Sequence, residues 1–168
     1  MGADGDFSAY VGARWGALVR SAIVLGCTLD EAHDLAQTTL VRCYTAWGKV
    51  QRADNPDAYV YRMLLNCHRD SRRRRWWGER PSADLPDRAV ADETTQVDTT
   101  DAVHRALGDL SRVNREVVVL RYYANLTEQE TAQVLGIAPG TVKSRLSRAL
   151  AKLGTNPHLR DLPEGQPS

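Results

Sequence analysis

The densest concentration of chemically useful side chains is the stretch TEQETAQVLGIAPGTVKSRLSRAL, residues 127–150. Thr141, Lys143, Ser144, Arg145 and Arg148 share one helical face there, with no acid from residue 141 to 152. Hydroxyls, an ammonium and guanidiniums so placed can meet phosphates and base edges in a major groove. A basic helix by itself could equally be a solvated face, and the surrounding frame decides between the two. Thr127 and Glu130 stand at capping-box spacing, Ala132 is small where two helices approach, and Gly136 permits a left-handed turn. Ile137 and Val142 plug the angle between two short helices. Together these features predict a helix-turn-helix with its second helix opening near Pro139.

A second constellation is NPDAYVYRMLLNCHRDSRRRRWW, residues 55–77. It sets tyrosines, tryptophans and Asn66 beside an arginine run on a single helix and its end. Cations that hold a backbone, with aromatic or pocket contacts to unstacked bases, suit single-stranded DNA better than an intact duplex. Core packing of Tyr59 and Trp76 is the competing reading for the aromatics.

These two sites resolve an apparent contradiction in the charge. The chain of 168 residues has a formal net charge of only +1. Yet Arg69, Arg72, Arg73, Arg74 and Arg75 are opposed within their own stretch by Asp70 alone, and Lys143, Arg145, Arg148 and Lys152 by no acid. Between the two footprints lie Asp84, Asp87, Asp92, Glu93, Asp98 and Asp101 against Arg88. An acidic connector therefore hides two basic surfaces in the whole-chain sum.

Helices must position both sites. Phe7, Tyr10, Val11, Leu18, Val19 and Ile23 recur at helical spacing until Gly26 stops them. A capping box, Thr28 with Glu31, opens a second helix predicted to run through about Trp47, with Leu35, Thr39, Cys43 and Trp47 in one stripe. Asp54 or Asn55 caps a third, which begins at Pro56 and turns Tyr59, Met63, Leu64 and Cys67 towards a core. From about Trp77 the periodicity lapses into Pro81, Pro86, acids and threonines, and it resumes with Val103, Leu107 and Leu110 and again with Val117, Val118 and Leu120. No strand-like alternation intervenes. The fold class expected is all-α: two small helical domains at 1–77 and 101–155, a flexible acidic linker at 78–100, and a disordered tail at 156–168. At roughly 3.3–3.6 Å per residue, such a linker reaches at most about 80 Å.

Several function classes are set aside. No apolar run approaches the roughly 20 residues of a membrane span. Asp4 and Asp6 stand where a secretion signal is basic, so a cytoplasmic protein is expected. Cys27, Cys43 and Cys67 are odd in number and lack C-x-x-C pairing, and neither they nor His33 and His68 have ligand spacing; buried thiols and no metal are expected. Asp34, His33 and His68 are too scattered to form a catalytic site, so neither an enzyme nor a cofactor is expected. A conventional operator-binding regulator would share the helix-turn-helix, but the first domain shows no ligand-pocket signal and no coiled-coil seam.

From Phe7 to about Leu153, the order of elements resembles the extracytoplasmic-function sigma factors of the sigma-70 superfamily, and within them the actinobacterial SigE-like subfamily. DLAQTTLVRCY, residues 34–44, resembles their polymerase-binding helix, with Thr38 and Leu40 where an acid and an aromatic are usual. The resemblance implies polymerase contacts from Asp34, Gln37, Thr38 and Arg42. NPDAYVYRMLLNCHRDSRRRR resembles the helix that melts the promoter and reads the minus-ten element, with Tyr59 at a usual tryptophan. The implied residues are Tyr59, Arg62, Asn66, Arg69, Asp70, Arg72 and Arg73, with Asn66 and Asp70 placed to contact an extruded base. GTVKSRLSRA is similar to the signature that reads the minus-thirty-five element, implying Thr141, Val142, Lys143, Ser144, Arg145 and Arg148. Lys143, Ser144 and Arg148 take the base-edge role, and Thr141 and Arg145 a phosphate or positioning role. The partners so implied are core RNA polymerase, through its beta-prime clamp and beta flap, promoter DNA, and an anti-sigma factor.

Overall fold

The computed structural model describes residues 2–78 and 95–160, with side chains from residue 100 onward in the second stretch. Most of the expected linker, 79–94, and the tail from 161 lie outside the described residues. All regular structure described is helical. The first half holds α1 (Ala3–Val24), α2 (Leu29–Thr45), α3 (Trp47–Arg52) and α4 (Pro56–Trp77). The second holds α5 (Thr95–Gly108), α6 (Arg112–Val118), α7 (Glu128–Leu135), α8 (Pro139–Gly154) and α9 (Pro157–Arg160), with a π-helical turn, Val119–Tyr123, after α6. No helix among the described residues is long and apolar enough to cross a membrane.

Local chemistry sets the boundaries of the first half. Gly26 ends α1 with φ +109°, a conformation that any Cβ strains. At α2 the Thr28 N–H donates to Glu31 Oε2 at 3.0 Å and the Glu31 N–H to Thr28 Oγ1 at 3.3 Å. Asn55 Oδ1 accepts from the Ala58 N–H at 3.2 Å, and Pro56 occupies the first turn of α4, where its missing donor costs nothing. Asp57, one residue further on, ties α4 to α1. It accepts the Tyr10 hydroxyl at 2.7 Å and both Arg14 Nε and Nη2 at 2.8 Å.

The second helix ends earlier than its periodicity predicts. The chain breaks at Ala46, whose N–H is shared between Arg42 O and Cys43 O, and Trp47 begins α3. The break swings the Trp47 ring against Phe7, edge-on with centroids 5.2 Å apart, and against Tyr10 at 5.3 Å.

Leu18, Ala22, Leu64 and Leu65 from the first half join Leu110, Val118, Leu120 and Leu126 from the second in one buried cluster. Full burial of each such Leu or Val side chain contributes roughly 1.5–3 kcal/mol. The two halves thus share a core, with α4 packed on α7 and α1 on both α5 and the π-helical turn. Two boundaries differ from expectation. α5 begins inside the stretch read as linker, and the stretch read as tail supplies the helical turn of α9 and a buried Asn156, whose amide donates to Asp109 Oδ2 at 2.9 Å.

Candidate nucleic-acid interface

α7 and α8 form the helix-turn-helix that the spacing requires. The Thr127 N–H donates to Glu130 Oε2 at 2.8 Å and the Glu130 N–H to Thr127 Oγ1 at 3.1 Å. Gly136 turns the chain at φ 65° and ψ 36°, and the Ile137 N–H then reaches Ala132 O at 3.1 Å. Val117, Ala132 and Val142 form the plug between the helices, flanked by Leu135, Ile137 and Leu146.

That plug corrects one residue of the upstream-reading set. Val142 is 0% exposed, so it holds α8 in place and cannot itself meet DNA. Around it Lys143, Ser144 and Arg148 are exposed, and Thr141 and Arg145 half-buried. Ser144 Oγ donates back to Thr141 O at 3.1 Å. None of Lys143, Arg145 and Arg148 forms an ion pair among the described residues, so the face keeps its full charge for an anion. Lys152 is different: its ammonium caps the end of α5 at Asp109 O.

α4 carries the other cationic face. Arg72, Arg73 and Asn66 are exposed, and Tyr59 is half-buried against the core. Trp76 and Trp77 are 86% and 81% exposed, which removes core packing as the reading of Trp76. Asp70 lies 3.6 Å from Arg42 of α2, and Arg75 2.6 Å from Glu31, so two ion pairs bridge α2 and α4. Between these helices runs an open groove of about 740 Å³, lined by both acids and arginines. His68, at the floor of this groove, is buried with no partner for Nδ1. Burial, reinforced by Arg72, pushes its imidazole down to about 4.

Not all of the α4 set is free. Arg69 Nε and Nη2 donate to Glu116 at 3.3 and 2.9 Å, Arg62 Nη2 donates to Gln133 O at 3.4 Å, and Asn55 Nδ2 donates to Glu130 Oε1 at 3.0 Å. The Asn55 amide, with the Thr127 N–H, holds the Glu130 carboxyl below its ordinary value. Glu116, Gln133 and Glu130 carry no local signal in the sequence that would mark them as partners of α4. Only packing of α6 and α7 on α4 brings them there.

On α2, Asp34, Gln37, Thr38 and Arg42 form one exposed stripe, as residues three and four apart must on a helix. Leu29, Val41 and Tyr44 extend it as exposed apolar surface, which periodicity alone did not single out. Cys27 and Cys67 line the α2–α4 groove together with Asp34, Thr38 and Arg42. Cys43 and Cys67 are buried and Cys27 half-buried, and burial pushes the Cys27 and Cys43 thiols up to about 11.

Residues 7–78 match the family described as Sigma-70 region 2, and residues 100–153 the one described as Sigma-70, region 4. The chain belongs to the sigma-70 family, in its extracytoplasmic-function group. It is 40% identical over 157 residues to the RNA polymerase sigma-E factor of Streptomyces avermitilis, covering 94% of this chain and 88% of the relative. It is also 35% identical over 137 residues to the ECF RNA polymerase sigma factor SigM of Mycobacterium tuberculosis, covering 81% and 69% respectively. Among solved structures, it is similar to the sigma factor RpoE in complex with the anti-sigma factor NepR from Bartonella quintana. The TM-score there is 0.74 at 30% identity, over 88% of this chain and 94% of that one. A second similar structure is CnrH in complex with the cytosolic domain of CnrY, with TM-score 0.63, 27% identity and coverage of 88% and 84%.

Proposed function

We propose that this chain is an alternative sigma factor that acts in the cytoplasm: it joins core RNA polymerase, directs it to particular promoters and assists strand opening. The observation that carries this reading is the pairing, in one chain and in order, of a region 2 half bearing the α4 cationic face and a region 4 half bearing the α8 cationic face. The role is recruitment without catalysis.

In this reading Asp34, Gln37, Thr38 and Arg42 dock α2 on the polymerase clamp. Lys143, Ser144 and Arg148 read base edges of the upstream element, while Thr141 and Arg145 position α8 on the backbone. A guanidinium can engage guanine bidentately in the major groove, which makes Arg148 a natural specificity contact. On α4, Arg62, Arg69, Arg72 and Arg73 hold the melted strand. Asn66 and Asp70, four residues apart on α4, contact an extruded base, with Tyr59 roughly two turns before Asn66 on the same helix. An anti-sigma factor is a further partner, on the analogy of the relative solved with NepR.

Reconstitution tests this. The purified chain should co-elute with core RNA polymerase on gel filtration and confer run-off transcription from a subset of genomic fragments. Tight operator-like binding to a duplex without polymerase, and no transcript with it, would instead make the chain a conventional helix-turn-helix regulator.

A further inference from the structure

α4 ends in two bare indoles. Trp76 and Trp77 are its last residues, and Gly78 closes the helix by donating its N–H to Arg74 O at 3.0 Å. Rings of this size are ordinarily packed against other apolar groups, yet these are 86% and 81% exposed. Asn66, Asp70, Arg73 and Trp77 follow one another at spacings of four, three and four residues, which sets them in one stripe along the helix. Trp77 thus stands about 16 Å beyond Asn66 at roughly 1.5 Å per residue. Beside its ring opens a concavity of about 300 Å³, lined by Asp70, Arg73, Arg74 and Trp77. Asp70 is engaged by Arg42 at 3.6 Å, whereas neither Arg73 nor Arg74 has an ion-pair partner among the described residues. The free charge of this pocket is therefore cationic, and an indole forms one of its walls.

We propose that this pocket is a stacking subsite for an unpaired DNA base, with the Trp77 indole against the base and the Arg73 and Arg74 guanidiniums on the flanking phosphates. The inference rests on the reading of α4 as the strand-holding helix. An aromatic face beside free cations holds a single strand without reading it, because every base has a π face and every nucleotide a phosphate. An apolar protein surface laid on the indole would desolvate the two guanidiniums with no anion to meet them. The subsite gives α4 a second anchoring point. Asn66 and Asp70 select a base, and Trp77 holds the strand whatever base arrives. At the duplex rise of roughly 3.4 Å per nucleotide the distance between the two points covers about five positions, and fewer in a stretched strand. Trp77 is exposed in the free chain, so the subsite is open to test without polymerase.

The test uses the full chain and three labelled single strands of equal length: oligothymidylate, oligodeoxyadenylate and an abasic strand. Fluorescence anisotropy measures affinity, and quenching of indole emission reports stacking. Trp77→Ala is expected to bind both base-bearing strands about tenfold more weakly than the parent, and the abasic strand equally. Trp77→Phe should restore most of the loss and Trp77→Leu little of it, because leucine keeps apolar bulk without a π face. Oligothymidylate should quench the parent's emission more than that of Trp77→Phe. All the variants should fold, since the ring is exposed and alanine and leucine are good helix formers. Parental affinity of Trp77→Ala for oligothymidylate overturns the proposal. Full restoration by Trp77→Leu also overturns it, and marks the end of α4 as an apolar protein-docking surface instead. Arg72→Gln judges the underlying reading, because Arg72 is exposed beside the stripe and its guanidinium would hold phosphate alone. Weaker binding of all three strands by Arg72→Gln, with none lost in Trp77→Ala, removes the subsite and leaves α4 as the strand-holding helix. Parental affinity in both variants removes the two together.

Discussion

Arg115 Nη1 stands 3.2 Å from where a Cβ would sit on Gly26, so the left-handed turn between α1 and α2 is also a seat for a guanidinium from the other half of the chain. Two constraints meet there, one conformational and one of space. Gly26→Ala is expected to cost about 1–2 kcal/mol or more from the left-handed backbone alone. The crowding against Arg115 adds to that. A double-mutant cycle in urea with Arg115→Ala separates the two, since only the crowding disappears with the guanidinium. An identical cost of Gly26→Ala in both backgrounds would assign the whole effect to the turn.

His68 makes stability depend on pH in a defined window. Its folded-state value lies near 4 because burial disfavours the cation, and Arg72, Arg115 and Arg112 oppose the proton while Glu116 favours it. An unfolded histidine titrates near 6.5. Between about 4 and 6.5 the unfolded chain holds the extra proton, so stability falls as pH falls through that window. At about pH 5 the loss is roughly 2 kcal/mol relative to about pH 7. Urea midpoints at the two pH values measure it, and a His68→Gln chain should lose most of the difference. An equal loss in that variant would place the titrating group elsewhere.

Adjacent residues of α8 should fail in opposite ways. Lys143→Ala and Arg148→Ala are expected to weaken recognition of the upstream element by roughly 1–3 kcal/mol each, at unchanged melting temperature, because both side chains are exposed. Val142→Ala should destabilise the fold by roughly 1–3 kcal/mol through a cavity against Val117 and Ala132, and weaken all duplexes alike. Thermal melts beside transcription from promoters with altered upstream elements distinguish the two. Unaltered sequence preference in both cation variants would remove α8 from the recognition role.

Asn66→Ala separates strand opening from docking. Asn66 is exposed on α4, where alanine is the better helix former, so folding should survive its replacement. An extruded base is recognised by hydrogen bonds to its edge, and an amide offers both a donor and an acceptor. Permanganate reactivity of promoter thymines should fall at least about tenfold while closed-duplex binding by the polymerase complex persists. Parental reactivity in Asn66→Ala would shift base capture to Asp70, Arg62 or Arg69.

The sequence alone determined the features that close within a few residues. Capping boxes join Thr28 to Glu31 and Thr127 to Glu130, a cap at Asp54 or Asn55 opens α4 and is made by Asn55 on the Ala58 N–H, and Gly136 turns α7 into α8, all through contacts three to five residues apart. Helical periodicity likewise foretold the burial of Leu35, Thr39, Cys43 and Trp47 and the outward face of Lys143, Ser144 and Arg148. Tertiary structure decided everything that depends on which surfaces meet. The break at Ala46 follows from seating Trp47 on Phe7 and Tyr10, and the burial of Asn156 from its bond to Asp109. Trp76, left open between core packing and base contact, proved exposed, and Val142 proved to be the plug that its spacing indicated and not the DNA contact that the family resemblance implied. The pairing of Arg69 with Glu116 spans 47 residues. No periodicity encodes it: a charged side chain looks the same in sequence whether it faces water, a phosphate or a carboxylate, and only the packing of α6 against α4 selects among them.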